Sequence, residues 1–293
     1  MLEQLAAAPA SLGAELDAAA AVLARAGVPE PKREAERLWA ALSGIGTGEV
    51  WLQRESTAAA ETTARFRGAV RRRAAGVPFA YAAGTAAFRT LELAIDHRAL
   101  IPRPETEGLV ELVLTWCRTR QEPPDDTGGI AADIGTGSGC IALALAVEGA
   151  FQRVIATDVS ATAAGLAREN VARVSPPVAV EVRVGDLLAP IGDLRCRVIV
   201  ANPPYLTHDE WTALDPAVRH FEPALALASG ADGLSATRRL LSGARGVLEP
   251  GGLLALEIDE RRAPAVRKIA LAAGWGVSVH QDLFGRPRYI LAV

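Results

Sequence analysis

Cysteine is scarce in this chain of 293 residues. Cys117, Cys140 and Cys196 stand far apart, with no C-x-x-C pair and no histidines at ligand spacing. That scarcity argues against a disulfide framework and a structural zinc site, and leaves buried thiols in a reducing compartment as the expectation. An excess of either charge is also lacking, with 31 basic against 34 acidic side chains and a net charge of -3. A protein that holds a phosphate backbone by charge alone needs a basic balance, so nucleic acid is not an expected partner. No apolar run has the length to cross a bilayer. The opening MLEQLAAAPASLGAELDAAAAVL carries acids and no basic stretch, unlike a secretory leader. The expectation is a cytoplasmic protein with no metal and no membrane partner.

What is present is apolar. Half of the residues are hydrophobic, enough for a sizeable core, and the length allows two domains. The first 75 residues are rich in alanine, leucine, arginine and glutamate. Leu12, Leu16, Ala19, Ala20 and Leu23 recur at helical spacing, as do Ala35, Leu38, Trp39 and Leu42. The spacing predicts a bundle of about four helices over 1–75, with Arg71, Arg72 and Arg73 at the solvated end of the last. FRTLELAIDHRALIP alternates apolar and polar, which predicts a β-hairpin linker over 76–101. A helix follows from about Glu105 to Arg118, then the polar loop QEPPDDTGG. From Ile130 onward, short apolar strands near 130–134, 153–157, 179–184, 197–201, 252–258, 276–281 and 287–292 alternate with helical segments. That alternation predicts an α/β domain over 102–293, a mostly parallel seven-stranded sheet with helices on both faces.

AADIGTGSGCIALALA reads as a strand, a glycine-rich turn and a helix. Gly135, Gly137 and Gly139 permit positive φ and a close approach of ligand to backbone. Cys140 stands where the dinucleotide fingerprint needs glycine, and no phosphate loop is present, so a pyrophosphate ligand is not matched. Asp133 before the turn suits a ligand with a cationic or amino end. VIATDVS leaves Asp158 at the tip of the next strand, where a carboxylate can accept both hydroxyls of a ribose. VRVGDLL places Asp186 where it can accept from the exocyclic amine of a purine, with Leu187 against the ring. Together these features resemble the Rossmann-like S-adenosylmethionine-dependent methyltransferases.

The strand RVIVA then stops at Asn202, Pro203, Pro204 and Tyr205, an amide, two residues without a backbone donor and a ring. NPPY is the signature that class uses when the methyl acceptor is a planar nitrogen. The segments AYAAGTAAFRTLELAIDHRALIPRPETEGLVE, DIGTGSGCIALALA, ANPPYL, FEPALALASGADGL, LEPGGLLALEI and DLFGRPRYILAV are similar to the protein-glutamine methyltransferases that modify peptide chain release factors. The likeness covers nearly the whole chain. It implies a helical substrate-binding domain at 1–75 and S-adenosylmethionine as cofactor, bound by Asp133, Gly135, Thr136, Gly137, Ser138, Gly139, Asp158, Asp186 and Leu187. It implies that Asn202 touches that cofactor too. Catalysis and acceptor binding fall to Asn202, Pro203, Pro204 and Tyr205, with Arg103 and Glu105 of IPRPETE closing the site. Arg103, Glu105 and Glu107 equally suit a helix start after a proline.

The chemistry such a loop serves is specific. An amide nitrogen is a poor nucleophile because its lone pair is delocalised. In the family, the Asn202 side-chain oxygen and the Pro203 carbonyl would accept from its two N–H bonds, while Tyr205 stacks on the planar amide. The prolines fix φ and keep the loop out of helix. Positioning of this sort is worth roughly 7–11 kcal/mol in well-oriented systems. Glu222 and Pro223 read as support for this loop, and His97, His208, His220 and His280 as scattered surface residues.

Three positions depart from the family: Asp259 replaces its glycine, Pro287 breaks its G-x-D-R ending, and Leu187 replaces a larger ring. They leave open a paralogue acting on a small-molecule amide, amine or guanidine. Transfer to the exocyclic amine of adenine, which also uses an NPPY-type loop, and a non-catalytic cofactor-binding protein are the other readings.

Overall fold

The computed structural model describes residues 11–120, 128–214 and 216–293, side chains of 216–218 excepted. The first ten residues and most of the QEPPDDTGG loop lie outside the described residues. Two compact units divide at Thr85 and Ala86.

In the first unit, α1 (Leu12–Arg25), α2 (Pro31–Ser43), α3 (Thr47–Leu52), α4 (Ala60–Ala74) and α5 (Phe79–Ala83) surround one core. Ser11 caps α1 by accepting from the Ala14 amide. Leu12, Leu16, Leu23, Leu38, Trp39, Val50 and Phe66 are buried together, with the Trp39 and Phe66 rings edge to face at 5.2 Å. The arginine run closes α4, the last of the four helices within 1–75, and α5 then follows and buries Ala82 and Ala83 in the same core. Two of its members are used internally: Arg73 donates to Glu34 at 2.6 Å and Arg72 to the Ala82 carbonyl at 2.7 Å. The expected linker at 76–101 therefore opens with a helix, and its hairpin is shorter: β1 (Thr85–Phe88) and β2 (Leu91–Ala94).

The second unit continues with α6 (Pro104–Thr119), β3 (Ile130–Ile134), α7 (Cys140–Glu148), β4 (Arg153–Asp158), α8 (Ala161–Val174), β5 (Ala179–Val184), β6 (Cys196–Ala201), α9 (His208–Thr212), α10 (Pro216–Phe221), α11 (Ser235–Gly243), β7 (Leu248–Glu257), α12 (Ala263–Ala272), β8 (Val277–Gln281) and β9 (Pro287–Ala292). The sheet order is β5-β4-β3-β6-β7-β9-β8, parallel except where β9 runs against β7 and β8. The period of two explains the unbroken apolar run of β6. Val198 and Val200 face the core under α6 and α7, and Ile199 and Ala201 face the core under α11 and α12.

Order and register set the site. The chain moves outward from β3 through β4 to β5 and then returns to β6 on the other side of β3. The crevice of a doubly wound sheet opens at such a reversal. Thr157, Ile134, Ala201 and Leu256 lie at one level across β4, β3, β6 and β7. The next residues, Asp158, Gly135, Asn202 and Glu257, therefore leave four neighbouring strand ends at one level. Ile134, Ala201 and Leu256 face the core under α11 and α12, so the residues after them turn to the side of α6.

Candidate active site

A cavity of about 380 Å³ opens at these strand ends. Gly135, Thr136, Gly137, Ser138 and Asp158 line one side of it, Asp186 and Leu187 the next, and Asn202, Pro204 and Arg103 the other. Asp133, Gly139, Pro203, Tyr205 and Glu105 do not line it. Asp133 is fully buried beneath the turn, and Gly139 caps α7 at φ 85°. The Pro203 residue is buried, the Tyr205 ring is largely covered, and Glu105 uses its carbonyl to accept from the Tyr289 hydroxyl at 2.6 Å. None of the four histidines is at the wall. His208 tilts against Trp211, and His280 Nε2 is hydrogen-bonded to the Ser278 hydroxyl.

The glycine turn is held by carboxylates. Asp158 accepts from the Gly137 amide at 2.9 Å and the Ser160 amide at 2.8 Å. One oxygen of Asp133 accepts from the Thr136 hydroxyl at 2.6 Å and the Ala142 amide at 3.0 Å, while its other oxygen is buried without a partner among the described residues. Burial pushes Asp133 up to about 7, and hydrogen bonds from Thr136 and Ala142 only partly offset this. Gly135 and Gly137 sit at φ 76° and 56°, and a Cβ on Gly135 would meet nothing within 4 Å. Backbone open to the cavity and a strand-end acid at its wall fit a ligand with hydroxyl and amino donors. Asp186 is less free than expected: Arg239 donates to its two oxygens at 2.6 and 3.3 Å, and both residues stand at the cavity wall.

At the other end, Leu206 and Ala228 form a parallel bridge, so FEPALALASG continues the line of the NPPY loop. Buried Glu222 accepts from Arg103 at 2.7 Å on both oxygens, fixing the residue that caps α6. Glu107 accepts from the Arg89 amide at 3.0 Å and so holds the β1–β2 turn. Asn202 donates from Nδ2 to the Thr106 hydroxyl oxygen at 3.1 Å, and that hydroxyl donates to Glu257 at 2.7 Å. Thr106 and Glu257 are 3% and 2% exposed; Thr106 stands beside Asn202 at the cavity wall, and Glu257 lies behind it. Sequence reasoning passed over both. Their signal was a lone acid in the apolar run GGLLALEI, and a threonine in step with Leu109, Val110 and Val113 on the buried face of α6.

The departures have local explanations. Asp259 starts a short 3-10 turn by accepting from the Arg261 amide at 2.9 Å, and it pairs with Arg261 and Arg262. Arg262 also pairs with Glu210 of α9, which tethers the helix after NPPY to the end of β7. Pro287 starts β9 opposite Gln281 beside a register shift, and Arg288 reaches Asp282 at 3.3 Å. Neither Asp259 nor Pro287 lines the cavity.

A family model described as the PrmC N-terminal domain matches residues 16–84, and one described as the methyltransferase small domain matches 120–225. Among solved structures, the hMettl16 catalytic domain, determined in complex with MAT2A 3'UTR hairpin 6, has a TM-score of 0.53 at 17% identity, covering 80% of this chain and 81% of that one. A methyltransferase from Pyrococcus furiosus has a TM-score of 0.51 at 21% identity, covering 70% and 89%. These structures share the fold, and the methyltransferase small domain match makes this a methyltransferase of the class whose methyl donor is of the S-adenosylmethionine type. Release factor glutamine methyltransferase of Deinococcus radiodurans is 39% identical over 94% of this chain and 96% of its own length. That of Moorella thermoacetica is 41% identical over 92% and 94%. The chain belongs to the release factor glutamine methyltransferase family.

Proposed function

We propose that this protein transfers a methyl group from S-adenosylmethionine to the side-chain amide nitrogen of a glutamine in a peptide chain release factor. The observation that carries the reading is Asn202 at the wall of the cavity that the glycine turn also lines, in a chain of this family. When bound, S-adenosylmethionine supplies an electrophilic methyl on a good leaving group. Asp158 would accept from the ribose, the glycine turn, held from beneath by Asp133, would take the amino-acid end, and Asp186 and Leu187 would take the base. Asn202 Oδ1 and the Pro203 carbonyl would accept from the two N–H bonds of the glutamine amide, which aligns the nitrogen and frees its lone pair, and one of these two protons leaves to water when the nitrogen is methylated. Tyr205, off the wall of this cavity, would offer its ring to the acceptor beyond it, and Arg103, held by Glu222, supports the entry.

The helical unit grips the release factor. Its charges are mixed, so shape and apolar surface serve better than long-range attraction. A chain beginning at Gly84, which keeps both hairpin strands, is expected to bind cofactor normally and lose turnover on an intact release factor; full turnover would remove this role. The site of action is the cytoplasm. Among the described residues no helix is long and apolar enough to cross a membrane, and no cluster of three or more candidate ligands is placed to hold a metal ion.

The test is incubation of the purified protein with labelled cofactor and a release factor, followed by fragmentation mass spectrometry. A methyl on a glutamine side-chain nitrogen is expected. Label appearing only on a nucleic acid or a small molecule from a lysate would overturn the reading.

A further inference from the structure

An asparagine amide can serve the acceptor in only one of its two orientations. With Oδ1 toward the cavity it accepts an N–H bond; flipped, it presents a second donor to a donor and repels it. Something must set the orientation, and the prolines, which govern only the backbone, do not. The hydrogen-bond chain behind the loop does. The Thr106 hydroxyl has one proton, and it is directed to the Glu257 carboxylate at 2.7 Å. Its oxygen is left only with lone pairs for the Asn202 amide 3.1 Å away. A flipped amide would set oxygen against oxygen with no proton between them, inside a buried cluster where an unmade hydrogen bond is costly.

We propose that Glu257, acting through the Thr106 hydroxyl, is the positioning residue that holds the Asn202 amide with Nδ2 inward and Oδ1 toward the methyl acceptor. This rests on the glutamine-methylation reading above. The order of groups follows from the fold, because Glu257 and Asn202 follow paired residues of adjacent strands and Thr106 lies on the buried face of α6. It also explains a buried acid that closes no ion pair among the described residues.

The device works in one protonation state. An ionised Glu257 only accepts; a protonated one carries a donor, can reverse the Thr106 hydroxyl, and so allows the amide to flip. Burial pushes Glu257 up to about 7. The Thr106 hydroxyl, Arg288 on β9 and the Asn202 amide pull it down, while Glu105 on α6 raises it. The Tyr205 and Tyr289 phenols and the Cys140 thiol also face it. Turnover at saturating cofactor is therefore lost as pH falls through about 7. Asp133, which titrates in the same range, would act on cofactor affinity, so saturation separates the two.

The experiment compares wild type with Glu257→Gln, Thr106→Val and Thr106→Ser in the full chain, with kcat and KM on a release factor across pH. Thr106→Val keeps the shape and loses the hydroxyl; Thr106→Ser keeps the hydroxyl. Expected are kcat losses on the order of 10- to 100-fold for Glu257→Gln and Thr106→Val, with KM unchanged. Thr106→Ser stays near wild type, and Glu257→Gln lacks the low-pH limb. Wild-type kcat and an intact limb in Glu257→Gln, or Thr106→Val equal to Thr106→Ser, would overturn the proposal. A second readout needs no turnover. The chain has two asparagines, Asn170 and Asn202, so asparagine-selective ¹⁵N labelling resolves the Asn202 amide protons by NMR. Their shifts should titrate near pH 7 in wild type and not in Glu257→Gln; shifts that ignore pH, or that titrate equally in both, would overturn it. If wild type methylates no glutamine, the functional reading fails, and this titration alone decides whether Glu257 orients Asn202.

Discussion

At the glycine end of the cleft, Asp158 and Asp133 accept from the backbone amides of Gly137, Ser160 and Ala142, whereas at the asparagine end the polar side chains bond to one another, Asn202 to Thr106 and Thr106 to Glu257. The first arrangement shapes a loop. Its acids are part of the turn they stand beside, so a substitution there changes the binding surface together with the charge. The second arrangement shapes nothing, since the two prolines and the Leu206–Ala228 bridge already hold the backbone. It sets only which atom of one amide faces the cavity. The glycine end should therefore answer to mutation in affinity and stability, and the asparagine end in turnover.

The largest expected effect lies at the asparagine end. Asn202→Ala removes one of two acceptors for the amide N–H bonds and should lower kcat by about 100-fold or more, with a much smaller loss of cofactor affinity. Steady-state kinetics beside calorimetry checks it, and an affinity loss as large as the turnover loss would erase the contrast between the two ends. Next is Asp158→Ala, which should weaken cofactor binding clearly, because two ribose hydroxyls lose an acceptor worth on the order of 1–3 kcal/mol each if buried. The Gly137 and Ser160 amides lose theirs as well, so the turn should also protect less against hydrogen exchange. Unchanged affinity by calorimetry would take Asp158 out of the site.

The smallest effect is one of stability, and its sign is opposite to that on function. Asp133 titrates near 7 in the folded protein against an ordinary value of 3.8. Between those values the folded state holds the proton more tightly than the unfolded state, so stability falls as pH rises through the window and the full penalty stands above it. Asp133→Asn should therefore raise the Tm at pH 8 and leave it unchanged at pH 4, while weakening cofactor binding. A lower Tm at pH 8 would mean that the carboxylate contributes more through its bonds to Thr136 and Ala142 than burial costs.

The backbone of this site was legible in the sequence because strand periodicity, glycine turns and prolines are local signals. The seven strands fall within a few residues of where apolar runs and punctuation place them. Asp158, Asn202 and the glycines stand at strand ends, where the motifs themselves mark the exit. Thr106 and Glu257 carry no such mark. They are 151 positions apart and meet only because β6 pairs with β7 and α6 packs over both, a fact of register that no local pattern contains. The Arg239 partner of Asp186 and the Asp259–Arg262–Glu210 tether are hidden for the same reason. The hairpin linker was half legible: its alternation is real, but Phe79–Ala83 takes the helical form because Ala82 and Ala83 find cover in the bundle core.

The most direct test of the contrast is Asn202→Asp measured against Asn202→Ala. Aspartate keeps an acceptor oxygen at the place where the acceptor amide must be gripped, and alanine keeps none. In folded protein with cofactor bound, kcat for the aspartate variant should lie clearly above that for alanine and below wild type. Equal kcat for the two variants would contradict the assignment of Asn202 as the acceptor of the substrate N–H bond.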